Sequence, residues 1–226
     1  MTIIPLEKKV LNENQIIAEL LRESYADHGI LCLNFISSPG SGKTTLLERT
    51  LEELPPADKV AVLTGDLQTE NDARRLARSG FPVQQITTGS ICHLDGRMIQ
   101  RALAEWSLDD IKLLLVENVG NLVCPSSYDL GEKAKIVLLS VTEGDDKPLK
   151  YPSIFAKAEL LILTKVDLLP YVPFNIAEAR ANARLVHPDI EIIEVSCITG
   201  QGMDEWQQWL SNRRQSVHQL TTSARV

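Results

Sequence analysis

The sequence predicts an α/β fold, a mostly parallel sheet flanked by helices on both faces and preceded by an N-terminal amphipathic helix. Two observations carry this. Short continuous apolar runs recur along the chain with helical patterns between them, and such runs mark strands covered on both faces. One of these runs leads straight into Ser37-Ser38-Pro39-Gly40-Ser41-Gly42-Lys43-Thr44 and then into the helical pattern Thr45-Leu46-Leu47-Glu48-Arg49. Strand, glycine-rich turn and helix in that order build a phosphate-binding loop of the P-loop NTPase kind.

Taken in order, residues 11–27 place Leu11, Ile16, Ile17, Leu20, Leu21 and Tyr25 near the 3.6 period of a helix, with Asn12 or Asn14 as cap. Strands are expected at 30–36, 59–64, 83–87, 111–116, 135–141, 159–163 and 190–195, and helices near 44–53, 69–79, 96–106, 174–187 and 203–214. The core spans about 29–214 in a single domain, and the polar tail 215–226 is expected to fray.

The chain of 226 residues is long enough for one full core. A net charge of −7 argues against broad phosphate neutralisation, and so against a nucleic-acid partner. No run approaches the roughly 18 apolar residues of a membrane span, and no signal-peptide core opens the chain. A cytoplasmic protein without a membrane partner is expected. Four cysteines over this length do not read as a disulfide framework.

In the loop, Pro39, Gly40, Ser41, Gly42, Lys43, Thr44 and Thr45 are the expected phosphate cradle. Backbone N–H groups turn inward and the helix N-terminus adds its positive dipole end. Lys43 reaches the β- and γ-phosphates, and the Thr44 hydroxyl ligates Mg²⁺. Ser37 stands where the usual pattern has its first glycine.

Thr164-Lys165-Val166-Asp167 follows the run Leu160–Leu163. It resembles the [NT]KxD signature of guanine-specific GTPases. The Asp167 carboxylate can accept from guanine N1–H and the 2-amino group, and adenine would leave it unpaired at about 1–3 kcal/mol. Ser196 and Cys197 follow the next strand and resemble the second guanine loop of that class, with Cys197 packing near the purine. Asp66 ends the strand 59–64 and is a candidate Mg²⁺ partner and the best candidate for orienting the attacking water. Glu117, three residues before Gly120, resembles the ExxG form of the switch region. Glu117 would hold Mg²⁺ or its waters and the Gly120 N–H would sense the γ-phosphate. Lys43, Asp66 and Glu117 are thus the expected catalytic set, with GTP and GDP as ligands.

Two segments do not belong to a generic GTPase: Gly89-Ser90-Ile91-Cys92-His93-Leu94-Asp95 and Asn121-Leu122-Val123-Cys124-Pro125. A thiolate–imidazole–thiolate set from Cys92, His93 and Cys124 suits Zn²⁺, Ni²⁺ or Cu and not Mg²⁺. Taken alone, a Cys-His dipeptide with a distant Cys is more often an ordinary pair of loop and core residues. Three ligands per chain also fall short of a closed tetrahedral site, which a two-fold dimer would complete. Cys32, mid-strand between Leu31 and Leu33, reads as core.

The segments SSPGSGKTTLLE, LTGDLQTENDA, TTGSICHLD, LLLVENVGNLVCP, VTEGDDKPLKYP and LTKVDLLPY together resemble the HypB nickel-hydrogenase maturation GTPases over about residues 30–200. The resemblance implies Mg²⁺-dependent GTP hydrolysis coupled to nickel delivery into [NiFe]-hydrogenase. It implies a homodimer with a nickel or zinc site at its interface, and it gives Cys92, His93 and Cys124 the ligand roles. It also implies as partners a nickel chaperone, other maturation proteins and the hydrogenase large subunit. Residues 1–28 hold no Cys and only His28, so the N-terminal nickel motif and histidine stretch of some members are not expected in them. A urease-type nickel-insertion GTPase, or a GTP-responsive binding module with structural zinc, are the competing readings.

Overall fold

The computed structural model describes residues 6–223. The chain runs α1 (Leu6–His28), β1 (Leu31–Ser37), α2 (Lys43–Glu53), β2 (Val60–Asp66), α3 (Asn71–Leu76), β3 (Val83–Thr87), α4 (Gly96–Leu103) and β4 (Leu113–Glu117). It continues with β5 (Ala134–Ser140), α5 (Lys147–Lys150), α6 (Pro152–Phe155), β6 (Leu160–Thr164), α7 (Ile176–Val186), β7 (Glu191–Val195) and α8 (Met203–Ser223). The seven strands form one sheet in the order β3-β2-β4-β1-β5-β6-β7. Every neighbouring pair is parallel. The chain builds outward from β1 on one side, returns with β4, then crosses to β5 on the other side. The carboxyl ends beside β1 therefore open into the crevice where ligands of such sheets bind.

Alternation along β1 divides the core. Leu31, Leu33 and Phe35 face Leu46, Leu47 and Leu51 of α2 and Trp206, Trp209 and Leu210 of α8. Cys32 points the other way, toward Leu21 and Tyr25 of α1 and Ile99, Ala102 and Leu103 of α4. Ile36 joins Ile154 and Phe155 of α6 and Ala183 of α7. Both faces are covered, which is why the central strands read as unbroken apolar runs. The edge strands β3 and β7 are only partly buried.

Several elements differ from the periodicity reading. The first helix is already formed at Leu6, the first described residue, so neither Asn12 nor Asn14 is a cap; Asn14 sits mid-helix and buried. Its amide accepts from Gly96 N at 2.7 Å and donates to Asp129 O at 2.9 Å, a tertiary use that periodicity does not reveal. The pattern near 69–79 is α3 followed by a 3₁₀ turn, Ala77–Ser79, ended by Gly80 at φ 83°. The pattern near 96–106 stops at Leu103. The short helices α5 and α6 each carry proline in their first turn, where it is tolerated. The tail expected to fray from 215 is helical to Ser223, and its last three residues lie outside the described residues.

Trp206 fastens α8 to the sheet. It is fully buried, meets Phe35 edge-on at 5.9 Å, and donates through Nε1 to Thr50 Oγ1 at 2.8 Å. We expect Trp206→Ala to lower unfolding free energy by about 3–5 kcal/mol in urea titration. Trp206→Phe should lose less, because a ring still fills the space against Phe35.

Candidate functional site

The phosphate loop leaves β1 at Ser37 and enters α2 at Lys43. Gly40 and Gly42 take φ of 74° and 94°, a backbone region that L side chains rarely adopt. Ser41 is buried, and its hydroxyl lies 2.9 Å from Ser38 O and 2.7 Å from Glu143 Oε1. Lys43 Nζ donates to Ser37 Oγ at 2.8 Å, so the serine that replaces the usual glycine holds the lysine. Burial lowers the pKa of Lys43 from its ordinary value, with Glu117, Asp72 and Glu143 opposing that shift.

At the end of β4, Glu117 is buried and its Oε1 accepts from Thr44 Oγ1 at 2.7 Å. Its Oε2 is buried without a hydrogen-bond partner. A hard divalent cation fills such a gap with oxygen ligands, so Thr44 and Glu117 fit Mg²⁺. Burial pushes the Glu117 carboxyl up to about 7, against the pull of Lys43 and the Thr44 hydrogen bond. Asp66 reaches the same cavity from β2. Its Oδ1 accepts from Gln68 N at 2.8 Å and Thr69 N at 2.7 Å, closing its own loop. Gly120 lies against Pro39: an added Cβ would stand 3.0 Å from Pro39 Cα. The switch segment therefore touches the phosphate loop directly. The cavity between these loops measures about 790 Å³, room for a nucleotide's phosphates and sugar.

The base-side residues adjoin the same loop. Thr164 Oγ1 donates to Ser41 O at 2.7 Å. Lys165, at φ 60°, donates through Nζ to Gly40 O at 2.6 Å. Asp167 Oδ1 accepts from Ser196 Oγ at 2.5 Å, which joins the ends of β6 and β7. Cys197 packs against the core, and burial raises its pKa to about 11, so it stays a thiol.

Cys92, His93 and Cys124 converge, with one ligand atom from each lying within 4.8 Å of the others. Their sulfurs are 2.7 Å apart. His93 stacks on Tyr128 at 3.8 Å, and its buried Nδ1 has no hydrogen-bond partner. Burial holds its pKa below the ordinary imidazole value, which favours the neutral, ligating form. The Cys124 thiol is raised, first by its hydrogen bond to Cys92 and then by burial. The loops meet because Asn121 Nδ2 donates to Cys92 O at 3.2 Å and its Oδ1 accepts from Val123 N at 2.8 Å. Soft sulfur and imidazole donors without a carboxylate suit Ni²⁺, Zn²⁺ or Cu.

Three polar residues at the site were not singled out by sequence. Glu143 accepts from Ser41 and from Ser140 N and pairs with Lys147 at 3.2 Å, and Lys147 donates to Ser38 Oγ at 3.2 Å. Arg75 of α3 lines the cavity and bonds Glu48 and Thr45 of α2. Asn118 links the β4 loop to the metal loop. Only Glu143 had a local signal, an acid at a strand end beside the phosphate loop. Arg75 and Asn118 depend on pairings across the fold.

This site on this sheet defines a P-loop nucleotide-binding protein with an adjoining sulfur–imidazole cluster. Residues 32–194 match the family described as CobW/HypB/UreG, nucleotide-binding domain. Over 211 residues the chain is 53% identical to the hydrogenase maturation factor HypB of Escherichia coli, covering 93% of this chain and 73% of that protein. It is 41% identical over 224 residues to the hydrogenase/urease maturation factor HypB of Helicobacter pylori, covering 97% and 92%. A crystal structure of HypB from Helicobacter pylori in complex with nickel superposes with TM-score 0.84 at 41% identity, covering 90% of this chain and 96% of that one. The chain belongs to the CobW/HypB/UreG family, on its HypB branch.

Glu117 gives a pH signature. Its folded pKa of about 7 lies above the ordinary 4.5, so between these values the folded state keeps a proton that the unfolded state has lost. Stability from this group is present below about 4.5 and is lost as pH rises through about 7. In protein free of metal and nucleotide, wild type should lose stability relative to Glu117→Gln between pH 5 and 8 in urea titrations. Parallel curves for the two proteins would contradict the buried, protonated carboxyl.

Proposed function

We propose that this protein hydrolyses GTP and uses turnover to control binding and delivery of nickel during maturation of [NiFe]-hydrogenase. The observation that carries this reading is the placement of Cys92, His93 and Cys124 on the loops that follow β3 and β4, beside the phosphate cavity. The names of the relatives support it.

In this reading the phosphate loop wraps the triphosphate with its backbone N–H groups. Lys43 leaves Ser37 for the β- and γ-phosphates. Thr44 and Glu117 would hold Mg²⁺, which would supply neutralising charge to the transferring phosphoryl group. Glu117 gives up its proton as that site fills. Asp66, which lines the cavity, orients the attacking water. Asp167 accepts from the guanine edge, with Ser196 fixing its carboxylate and the Lys165 stem covering the base plane. Gly120, already against Pro39, senses the γ-phosphate through its N–H.

Cys92, His93 and Cys124 bind the nickel ion as cargo. Cys124 follows Glu117 and Gly120 in one loop, so a change at the γ-phosphate shifts it relative to Cys92 and His93. Nickel affinity then differs between nucleotide states, the condition for nucleotide-driven release. A second copy of the chain completes the coordination sphere, and the exposed Ile91 and Val123 beside the ligands suit an interface. A nickel chaperone, other maturation proteins and the hydrogenase large subunit are the remaining partners, in the cytoplasm. Among the described residues no helix is long and apolar enough to cross a membrane. The Helicobacter pylori relative's name joins hydrogenase to urease, so insertion of nickel into urease is the second reading of the same geometry.

Titration with nickel alone should show Cys92→Ala and Cys124→Ala weakened at least about tenfold, or about 1.4 kcal/mol. Equal affinity in all three proteins would end the ligand assignment. Asp167→Asn should weaken GTP by at least about 1–3 kcal/mol, since an amide cannot accept both guanine donors, with nickel affinity in nucleotide-free protein unchanged. Multiple-turnover assays with Mg²⁺ and partner proteins separate an enzyme from a binding module with structural zinc; absence of phosphate release would favour the module.

A further inference from the structure

Both loops that frame the phosphate cavity converge on one residue of the loop carrying Cys92 and His93. That residue is Leu94, fully buried and next in sequence to His93. Its N–H donates to Asn118 Oδ1 at 3.1 Å, and Asn118 directly follows Glu117. Its side chain presses on Gly65, where an added Cβ would lie 2.8 Å from Leu94 Cγ, and Gly65 directly precedes Asp66. Leu94 is therefore clasped between the residue after one candidate Mg²⁺ group and the residue before another.

The orientation of Asn118 is set by its surroundings. Its Oδ1 also accepts from Val119 N at 3.0 Å, and its Nδ2 donates to Asn34 Oδ1 at 3.2 Å. Asn34 Nδ2 in turn donates to Glu132 Oε1 at 3.1 Å. Asn34 presents its oxygen, so Asn118 must present its amide there and its oxygen to Leu94. The Asn118 backbone N–H donates to Phe35 O of β1 at 3.0 Å. Asn118 is thus bonded to β1 on one side and to the metal loop on the other, within the segment that runs from Glu117 to Gly120. The far end of that loop is tied independently, through Gly96 N to Asn14 of α1 at 2.7 Å, and Asn14 does not line the phosphate cavity.

We propose that Asn118 is the positioning residue that makes nickel affinity depend on the bound nucleotide, by holding the Leu94 N–H and with it His93 and Cys92. The proposal rests on the reading above, that nickel binds Cys92, His93 and Cys124 and responds to GTP. When the γ-phosphate draws Glu117 and Gly120, the Asn118 side chain moves with them and carries Leu94. Without that bond the metal loop keeps its ligands and its other tethers, at Asn14 and through Cys92 O to Asn121, but Leu94 and His93 no longer follow Asn118.

The test measures the nickel Kd with GTP analogue and with GDP in wild type, Asn118→Ala, Asn118→Ser and Asn14→Ala. Wild type should show a ratio in the range of about 5–150-fold that allosteric coupling spans. Asn118→Ala and Asn118→Ser should still bind nickel but lower the ratio at least about threefold from wild type, the bond from Asn121 to Cys92 O carrying what remains. Asn14→Ala should keep the wild-type ratio. By reciprocity, nickel should shift the affinity for GTP analogue in wild type and lose that effect in the Asn118 variants. Hydrogen exchange at the Leu94 amide of wild type, which needs no variant to fold, should differ between nucleotide states. A preserved ratio in the Asn118 variants, an equal collapse in Asn14→Ala, or identical Leu94 exchange in both states would overturn the proposal. A wild-type ratio of one would remove the switch reading itself, a result distinct from failure of Asn118 alone.

Discussion

The hydrogen bond from Thr44 to Glu117 joins the first turn of α2 to the end of β4, and the nucleotide site is organised around it. It places a hydroxyl and a carboxylate opposite each other at the sheet's central crevice, with Lys43 and the Gly120–Pro39 approach on either side. Burial of Glu117 is the cost of that arrangement. A carboxylate removed from water favours its neutral form, and the raised pKa records the penalty. A divalent cation at Oε2, which has no protein partner, would offset that penalty.

The second constraint is geometric. Adjacent residues on a strand point to opposite faces, so Cys92 and His93 can share an ion only from irregular backbone. That backbone exists because the segment between β3 and α4 is tied at both ends. Thr88 N donates to Asp66 O at 2.9 Å and Gly89 N to Leu67 O at 3.1 Å. Asp95 caps α4 by accepting from Met98 N at 2.8 Å. The cluster of sulfur and imidazole donors, suited to Ni²⁺, Zn²⁺ or Cu, and the oxygen groups of Thr44 and Glu117, which fit Mg²⁺, thus lie on loops at the same end of the sheet.

Much of this was legible in the sequence because the signals were local. The parallel sheet showed as apolar runs, and all seven strand positions agree with it to within two residues. The phosphate loop, Thr164-Lys165-Val166-Asp167 and the Cys-His dipeptide showed as short patterns whose chemistry needs those residue types. Long-range pairings were not legible. Asn14 read as a helix cap, yet its amide reaches residues 82 and 115 positions away. Arg75 carries no local signal, and only the packing of α3 on α2 gives it Glu48 and Thr45. Asn118 was hidden because its partners, Leu94 and Asn34, come from separate parts of the chain. The helix through Ser223 was missed because polar residue types dominate the sequence of its end.

Ser37 has a consequence for how the cradle idles. A buried ammonium with no acceptor would be costly, and a carboxylate in that role would compete with the incoming triphosphate. A neutral hydroxyl at 2.8 Å quiets the lysine without binding it strongly, so arriving anionic oxygens displace it with little resistance. Ser37 thus serves as a neutral placeholder, parking the Lys43 ammonium where an anionic oxygen can take it over.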